Sequence, residues 1–410
     1  MAIHSTIPKR ILIIRTSAIG DVIMASPMVA ALADRYPNAE LFWLLEPHLE
    51  ALVSSNPNIH GVVAFPKAEW KRLFKERRYR DLFYAIKSMR DKLRDLKIDL
   101  AIDVQGLAKS GIWAWLSNAK RRVGFISKEP TKIFMTERIN KPKNDPEISS
   151  EYKAMAKYLG CNTESFYMDI HISSSDKTYV ATKLQEWLPF PGGIDQFAKV
   201  SGQIQINEDK INQDKINQDT HRYNSRVKQA AKAENSGANL PYLVICPFTT
   251  RPQKHWVNSY WRDLIKQISI HFGLPVLVIG GPDDHSNATK IVAELANAKS
   301  LCGELSLIQN IEAISKAKAL IGVDTGMTHA GIAKSVPTVA LFGSTRPYLV
   351  TRVEQTEVLY LNKSCAPCKR NPSCNGTFDC MADISVPSVM MTLSRILNSS
   401  SNTNNVRSAS

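Results

Sequence analysis

Three short clusters in this 410-residue chain bring together groups able to bind an anion or move a proton. In Thr16-Ser17-Ala18-Ile19-Gly20-Asp21, a carboxylate closes a loop between the apolar run at residues 11–14 and a stretch of helical spacing. Such a carboxylate can take a proton from an acceptor hydroxyl. A helix N-terminus keeps Asp21 ionised, though it makes it a weaker base, and a plain helix cap accounts for the same position. In residues 247–256, the hydroxyls of Thr249 and Thr250 stand just ahead of Lys254. Hydroxyl and backbone donors can fix phosphate oxygens there while the ammonium offsets their charge; an ordinary surface loop is the alternative. In Asp324-Thr325-Gly326-Met327-Thr328-His329, an acid, a hydroxyl and a glycine lie between an apolar strand and a helix. Backbone N–H groups at such a junction suit a pyrophosphate, and His329 on the first turn can donate to the same anion. Capping by Asp324 or Thr325 is compatible with that role. No G-x-x-x-x-G-K-[ST] segment occurs and the first loop lacks G-x-G-x-x-G, which disfavours a P-loop enzyme and a dinucleotide site.

Charge adds a second signal. Lys and Arg number 52 against 38 Asp and Glu, a formal +14. Such a surplus favours anionic partners such as nucleotides, nucleic acid or lipid head groups without choosing among them. Between Lys67 and Lys97 there are 12 basic and 5 acidic residues, interleaved with Trp70, Phe74, Tyr79, Phe83 and Tyr84. This reads either as a solvated helix face or as a docking surface for a phosphorylated or carboxylated ligand. No recognised RNA- or DNA-binding motif accompanies it, so nucleic acid is not an expected partner. Of the seven cysteines, Cys161, Cys246 and Cys302 are isolated, whereas Cys365, Cys368, Cys374 and Cys380 form C-x2-C-x5-C-x5-C. Four clustered thiols can hold tetrahedral zinc. The spacing matches no zinc class, so a structural loop, thiol or disulfide-linked, is expected instead of a metal site.

These clusters need a frame to position them. Residues 10–14 and 40–45 read as buried strands on either side of a helix over 22–35, a β-α-β unit that implies a parallel sheet. Residues 100–104, the turn Gln105-Gly106-Leu107 and a helix over 110–116 repeat the pattern; 121–126 is a further strand and 150–159 is helical. A second series has strands at 242–246, 275–279, 319–323 and 336–342, with helices over 259–271, 288–296 and 308–317. Between the series, residues 195–240 carry a tandem repeat (210–214 and 215–219) rich in Lys, Asn, Gln and Asp. It buries little apolar surface, so disorder or a marginal helix is expected. The chain therefore reads as an α/β protein of two doubly wound halves, 1–194 and 241–385, with a polar insertion between them. A closing helix over 386–397 and a fraying tail over 398–410 complete it. Ligands of open parallel sheets sit at the carboxyl ends of strands, which puts the expected sites in a cleft between the halves. At 44% hydrophobic and 22% charged residues, the composition is that of a globular protein. No apolar run approaches the ~18 residues of a membrane span. Arg15 closes the first apolar run too early for a signal-peptide core, so a cytoplasmic location is expected.

Together, Thr16-Ser17-x-x-Gly20-Asp21, Asp103-x-Gln105-Gly106-Leu107-x-Lys109-Ser110, Thr249-Thr250-Arg251-x-x-Lys254-His255-Trp256 and Val323-Asp324-Thr325-Gly326-x-x-His329 resemble bacterial lipopolysaccharide heptosyltransferases. The pattern is nearest the heptosyltransferase I branch, which adds the first heptose to Kdo-bearing lipid A. The resemblance implies a GT-B fold of two Rossmann-like halves, with the acceptor on the first and ADP-heptose on the second. It implies Asp21 as general base on a Kdo hydroxyl. Thr249, Thr250 and Lys254 would hold the donor diphosphate, with Asp324, Thr325, Gly326 and His329 completing that site. Asp283 or Asp284 would face the nucleoside and Leu305 the adenine. Trp70, Lys71, Arg72 and Arg138 would meet the acceptor, together with Asp103, Gln105 and Lys109 of the second motif. An inverting transferase needs one base and charge neutralisation of the leaving diphosphate. There is no Asp-x-Asp metal motif, and Lys254 with the 324–329 turn can supply that neutralisation, so no essential cofactor is expected. The basic stretch suits a lipid A acceptor at an anionic membrane surface, hence a peripheral enzyme on the cytoplasmic face of the inner membrane. The polar insertion is foreign to the heptosyltransferase I pattern, and the cysteine cluster with Met381-x-x-Ile384 resembles other members. Whether the first or a later heptose is added therefore stays open. A GT-B transferase using another nucleotide-sugar is the alternative reading.

Overall fold

Nearly every long apolar run in the sequence becomes a strand buried on both faces, as parallel sheets require. The computed structural model describes residues 7–188, 240–368 and 370–407, and the chain divides into two units, Met1–Ile172 and Ser173–Ser410. In the first unit, β1 (Arg10–Ile14), β2 (Glu40–Leu45), β3 (Ile59–Ala64), β4 (Leu100–Asp103), β5 (Arg121–Phe125) and β6 (Glu137–Ile139) form one sheet. Its order is β3-β2-β1-β4-β5-β6, and every pair is parallel. In the second unit, β7 (Leu243–Cys246), β8 (Val276–Val278), β9 (Ala298–Ser300), β10 (Ala319–Val323), β11 (Thr338–Phe342) and β12 (Thr356–Tyr360) pair in the order β12-β11-β10-β7-β8-β9. Counted from its own first strand, each sheet reads 3-2-1-4-5-6, the doubly wound order that opens a crevice where winding reverses, between strands 1 and 4. In the first unit that crevice lies past β1 and β4; in the second, past β7 and β10. The expected chemical residues sit on those four loops: Asp21 after β1, Asp103 and Gln105 at the end of β4, Lys254 after β7, and Asp324 after β10.

The helix expected over 22–35 is two helices, α1 (Ile19–Ala25) and α2 (Pro27–Arg35). Pro27 has no N–H to continue the ladder, and Ser26 instead turns its hydroxyl back to the Ile23 carbonyl at 2.7 Å. The basic stretch folds as α3 (Lys67–Lys75) and α4 (Tyr79–Asp95), with Leu73, Met89 and Leu93 buried. Next come α5 (Ala108–Leu116) and α6 (Ser150–Tyr158).

The division between units falls earlier than residue 194. Helix α7 (Ser174–Trp187) puts Val180 and Leu184 into a core that holds Val244, Leu277 and Ile314. Gln309 also donates to its Asp176 at 3.0 Å, so α7 belongs to the second unit. The insertion read over 195–240 lies outside the described residues up to 239. The second unit continues with α8 (Asn258–Phe272), α9 (His285–Val292), α10 (Leu307–Ser315), α11 (Gly326–Ala333) and α12 (Asp379–Ala382). The closing helix α13 (Val386–Arg407) runs on through most of the tail expected to fray. Among the described residues, no helix is long and apolar enough to cross a membrane.

Candidate functional site

The turn after β10 gathers a tight polar cluster around Asp324. Lys254 Nζ lies 2.5 Å from Oδ2, and the Thr345 hydroxyl donates to the same oxygen at 2.5 Å. His329 Nε2 stands 3.5 Å from Oδ1. Burial works against ionisation of Asp324, but His329 and Lys254 overcome it and hold the carboxyl well below the usual carboxylate range. On its other side, His329 Nδ1 is 2.9 Å from the Tyr348 hydroxyl. Burial and the charge of Asp324 push the Tyr348 phenol up, so it stays protonated. The ring is held between the Tyr348 hydroxyl at Nδ1 and Asp324 Oδ1 at Nε2. Both ring nitrogens of His329, expected to serve a bound anion, are thus engaged in orienting the carboxylate.

Thr345 and Tyr348 were not singled out from the sequence. The strand end Gly343-Ser344-Thr345 offered a hydroxyl as a signal; Tyr348 carried none.

The neighbouring residues divide the remaining tasks. Thr325 is the N-cap of α11 with extended backbone, and its side chain makes no cap bond. The first-turn N–H groups are therefore left without a side-chain cap, a setting that suits an anion. On the loop after β7, Lys254 turns to Asp324. His255 Nε2 lies 2.8 Å from the Thr249 carbonyl and closes the loop. Buried Trp256 donates to the Ile384 carbonyl at 2.8 Å and anchors it. Thr249 is half-buried and Thr250 exposed. Asp284 accepts the Gly281 N–H at 2.8 Å, while Asp283 is exposed. Leu305, expected against a base, is buried in the same core as Ile279 and Leu301. Gly322 on β10 permits the close approach of strand and helix. A Cβ there would overlap the Thr328 hydroxyl, which donates to the Val323 carbonyl at 2.6 Å. Gly322→Ala is expected to cost about 1–3 kcal/mol of stability, measured by urea unfolding; a midpoint equal to native would show that the helix can step back freely.

In the first unit, Asp21 occupies the third position of α1. Its Oδ2 accepts the Ala18 N–H at 3.1 Å and meets Arg15 Nη2 at 2.5 Å. Oδ1 has no partner among the described residues, and the side chain is 36% exposed. Arg15 is buried, donates from Nη1 to the Val104 carbonyl at 3.3 Å and lies over the Tyr152 ring at 5.9 Å. Burial works against its charge, but Tyr152 and Asp21 outweigh that and keep it protonated. The sequence reading took Arg15 only as the end of an apolar run. A guanidinium placed there needs an acid, and Asp21 is six residues on.

Several expected acceptor contacts face inward. Gln105 Oε1 accepts from the Thr16 N–H at 3.0 Å and its hydroxyl at 2.7 Å, tying together the loops after β1 and β4. Asp103 is fully buried and accepts from Gln105 N at 2.9 Å, Gly106 N at 3.1 Å and Ser110 Oγ at 3.0 Å. Gly106 takes φ +70°, a conformation natural to glycine. Trp70 packs against Phe65 and Trp113 at 5.2 and 5.4 Å. Asp103 and Gln105 are buried and shape the loops, while Trp70 is half-buried against the core. Lys71, Arg72, Lys109 and Arg138 are exposed.

Burial pushes the Asp103 carboxyl up to about 6 from 3.8. A raised acid contributes stability that is complete below the unfolded value and lost as pH rises through the folded one. The melting temperature is therefore expected to fall between about pH 3.8 and 6, with a shallower slope in Asp103→Asn. An unchanged slope in that variant would assign the pH dependence to another group.

Cys365, Cys368, Cys374 and Cys380 are free thiols lining one cavity of about 150 Å³. Among the described residues, no three His, Cys, Asp or Glu side chains are grouped so as to hold a metal ion.

Comparison with known proteins identifies the family and the fold. The sequence matches glycosyltransferase family 9 (heptosyltransferase) over residues 86–378. It is similar to lipopolysaccharide heptosyltransferase 1 of Pseudomonas aeruginosa, at 26% identity over 88% of this chain and 86% of that protein. The fold is similar to that of E. coli ADP-heptose LPS heptosyltransferase II, with a TM-score of 0.66 and 19% identity over 96% of this chain and 99% of that one. It is also similar to an E. coli heptosyltransferase (WaaC) solved with ADP-2-deoxy-2-fluoro heptose, with a TM-score of 0.63 and 19% identity over 94% of this chain and 99% of that one. The two doubly wound sheets are those of the GT-B architecture that the motifs led one to expect. The match spans well over half of the sequence, and the chain belongs to glycosyltransferase family 9, the heptosyltransferases.

Proposed function

We propose that this enzyme moves heptose from ADP-heptose to the Kdo region of a lipid A acceptor, with inversion at the transferred carbon. The observation that carries this reading is the pairing of Lys254 with Asp324 at the winding reversal of the second sheet. There a cation and a helix N-terminus can take up the charge of a departing diphosphate. The relative solved with an ADP-heptose analogue supports the donor, and the relative named lipopolysaccharide heptosyltransferase 1 supports a lipopolysaccharide acceptor. In a single displacement, the bond from the sugar's anomeric carbon to the diphosphate oxygen breaks as the acceptor oxygen bonds to that carbon. The acceptor proton passes to Asp21, whose Oδ1 is free to receive it. Arg15 fixes Oδ2, so the carboxylate presents one oxygen in one orientation. On the donor side, the incoming diphosphate competes with Asp324 for Lys254, and Thr345 and His329 hold the carboxylate in place during that exchange. An enzyme acting on such an acceptor works at the cytoplasmic face of the inner membrane.

Incubation with ADP-heptose and Kdo-bearing lipid A tests the proposal by acceptor mass. A gain of one heptose is expected. Transfer only to an acceptor that already carries heptose would move the enzyme to a later step. Thermal stabilisation by UDP-sugars and not by ADP-heptose would replace the donor.

A further inference from the structure

Helix α4 exposes what a soluble helix normally hides. Phe83 is 64% and Tyr84 59% exposed, and Phe74 at the end of α3 and Tyr79 at the start of α4 are 61% and 55% exposed. Among the described residues the rings pair with one another, Phe74 with Tyr79 and Phe83 with Tyr84, each pair 5.8 Å apart. Burial on this helix falls to Met89 and Leu93, so these four rings are surplus to the core. Among them runs a line of charge. Arg80, Lys87 and Arg94 recur every seven residues, which places them on one side of the helix, and all three are exposed. None of them makes an ion pair among the described residues. The acids nearby are largely committed elsewhere: Glu76 and Asp81 to Arg78, and Asp91 to Arg90. Asp95 is the exception.

We propose that this face docks the enzyme on an anionic bilayer leaflet, with the four rings in the interfacial layer and the three cations against lipid phosphates. Aromatic side chains favour that layer because one end is apolar and the other wet. Basic residues beside it gain from the surface potential. A second copy of the chain is a poor occupant, because two such faces would set like charges against each other. The inference takes from the proposed function only that the acceptor is a lipid. Vesicle binding is measured without sugar transfer, so either reading can fail alone.

The test uses the full chain, sedimented with vesicles of phosphatidylcholine alone or mixed with phosphatidylglycerol. Binding is expected only to the mixed vesicles and to weaken with salt. Each cation near such a surface contributes roughly a five-fold factor, so Arg80→Gln/Lys87→Gln/Arg94→Gln is expected to bind about 10²-fold more weakly. Phe83→Ser/Tyr84→Ser is expected to lose about ten-fold or more by removing two buried rings. Both variants should keep native circular dichroism and native thermal stabilisation by ADP-heptose. Equal binding to both kinds of vesicle, or native binding by both variants, overturns the proposal. So does finding that the substitutions abolish self-association or RNA binding instead.

Discussion

Asp21→Asn is expected to lower kcat by about 10²–10⁴, the range for loss of a general base, while donor affinity stays near native. The asparagine keeps the shape of the side chain and an oxygen for the Ala18 N–H and Arg15, so α1 retains its start. It removes the ability to accept a proton. Asp21→Ala should be equally inactive but less stable, because Arg15 is buried and loses its acid. Donor titration calorimetry and initial rates on the same preparations separate the two effects. Transfer by Asp21→Asn at the native rate would remove the carboxylate from the chemistry and leave it a helix cap.

Lys254→Ala is expected to affect stability and catalysis together. Lys254 and Asp324 are both mostly buried, at 16% and 12% exposure, and removing one partner of such a pair typically costs about 3–5 kcal/mol. Losing a charge donor to the leaving group typically costs about 10²–10³ in rate, and weaker donor binding should accompany it. The double variant Lys254→Ala/Asp324→Asn separates these roles: stability should largely return, transfer should not. Acid titration gives a further check. A depressed carboxyl contributes stability that is present above its unfolded value and lost as pH falls towards its folded one. Lys254→Ala should therefore lose less stability than the native enzyme as pH drops below about 4. A double variant with restored activity would show that Lys254 serves only to neutralise Asp324.

Strands flanked by strands were legible because burial on both faces demands uninterrupted apolar residues: 11–14, 100–103, 243–246 and 319–323 could hardly be anything else. Edge strands escaped. Strands β3, β6, β9 and β12 are partly exposed along most of their length, and mixed composition conceals them. Helix α7 was missed because its pattern is weak until its partner helix is known. The loops at the strand ends were legible in the sequence, but the direction of each side chain was not. Asp103 and Gln105, expected to meet an acceptor, point inward, since a loop must first satisfy its own N–H groups. Leu305 likewise fills the core. Tyr348 was invisible for the opposite reason: it acts by gripping His329, brought near it by the fold, a relation that spacing along the chain does not encode.

Among the described residues, each six-stranded sheet is completed within its own unit, with no strand lent across the boundary at Ile172–Ser173. This makes the chain modular to evolution. Recombination near that joint could exchange one unit for that of a relative without disturbing a strand register of the other. A chimera joined there to the amino-terminal half of a relative should inherit the relative's choice of acceptor and keep its own donor.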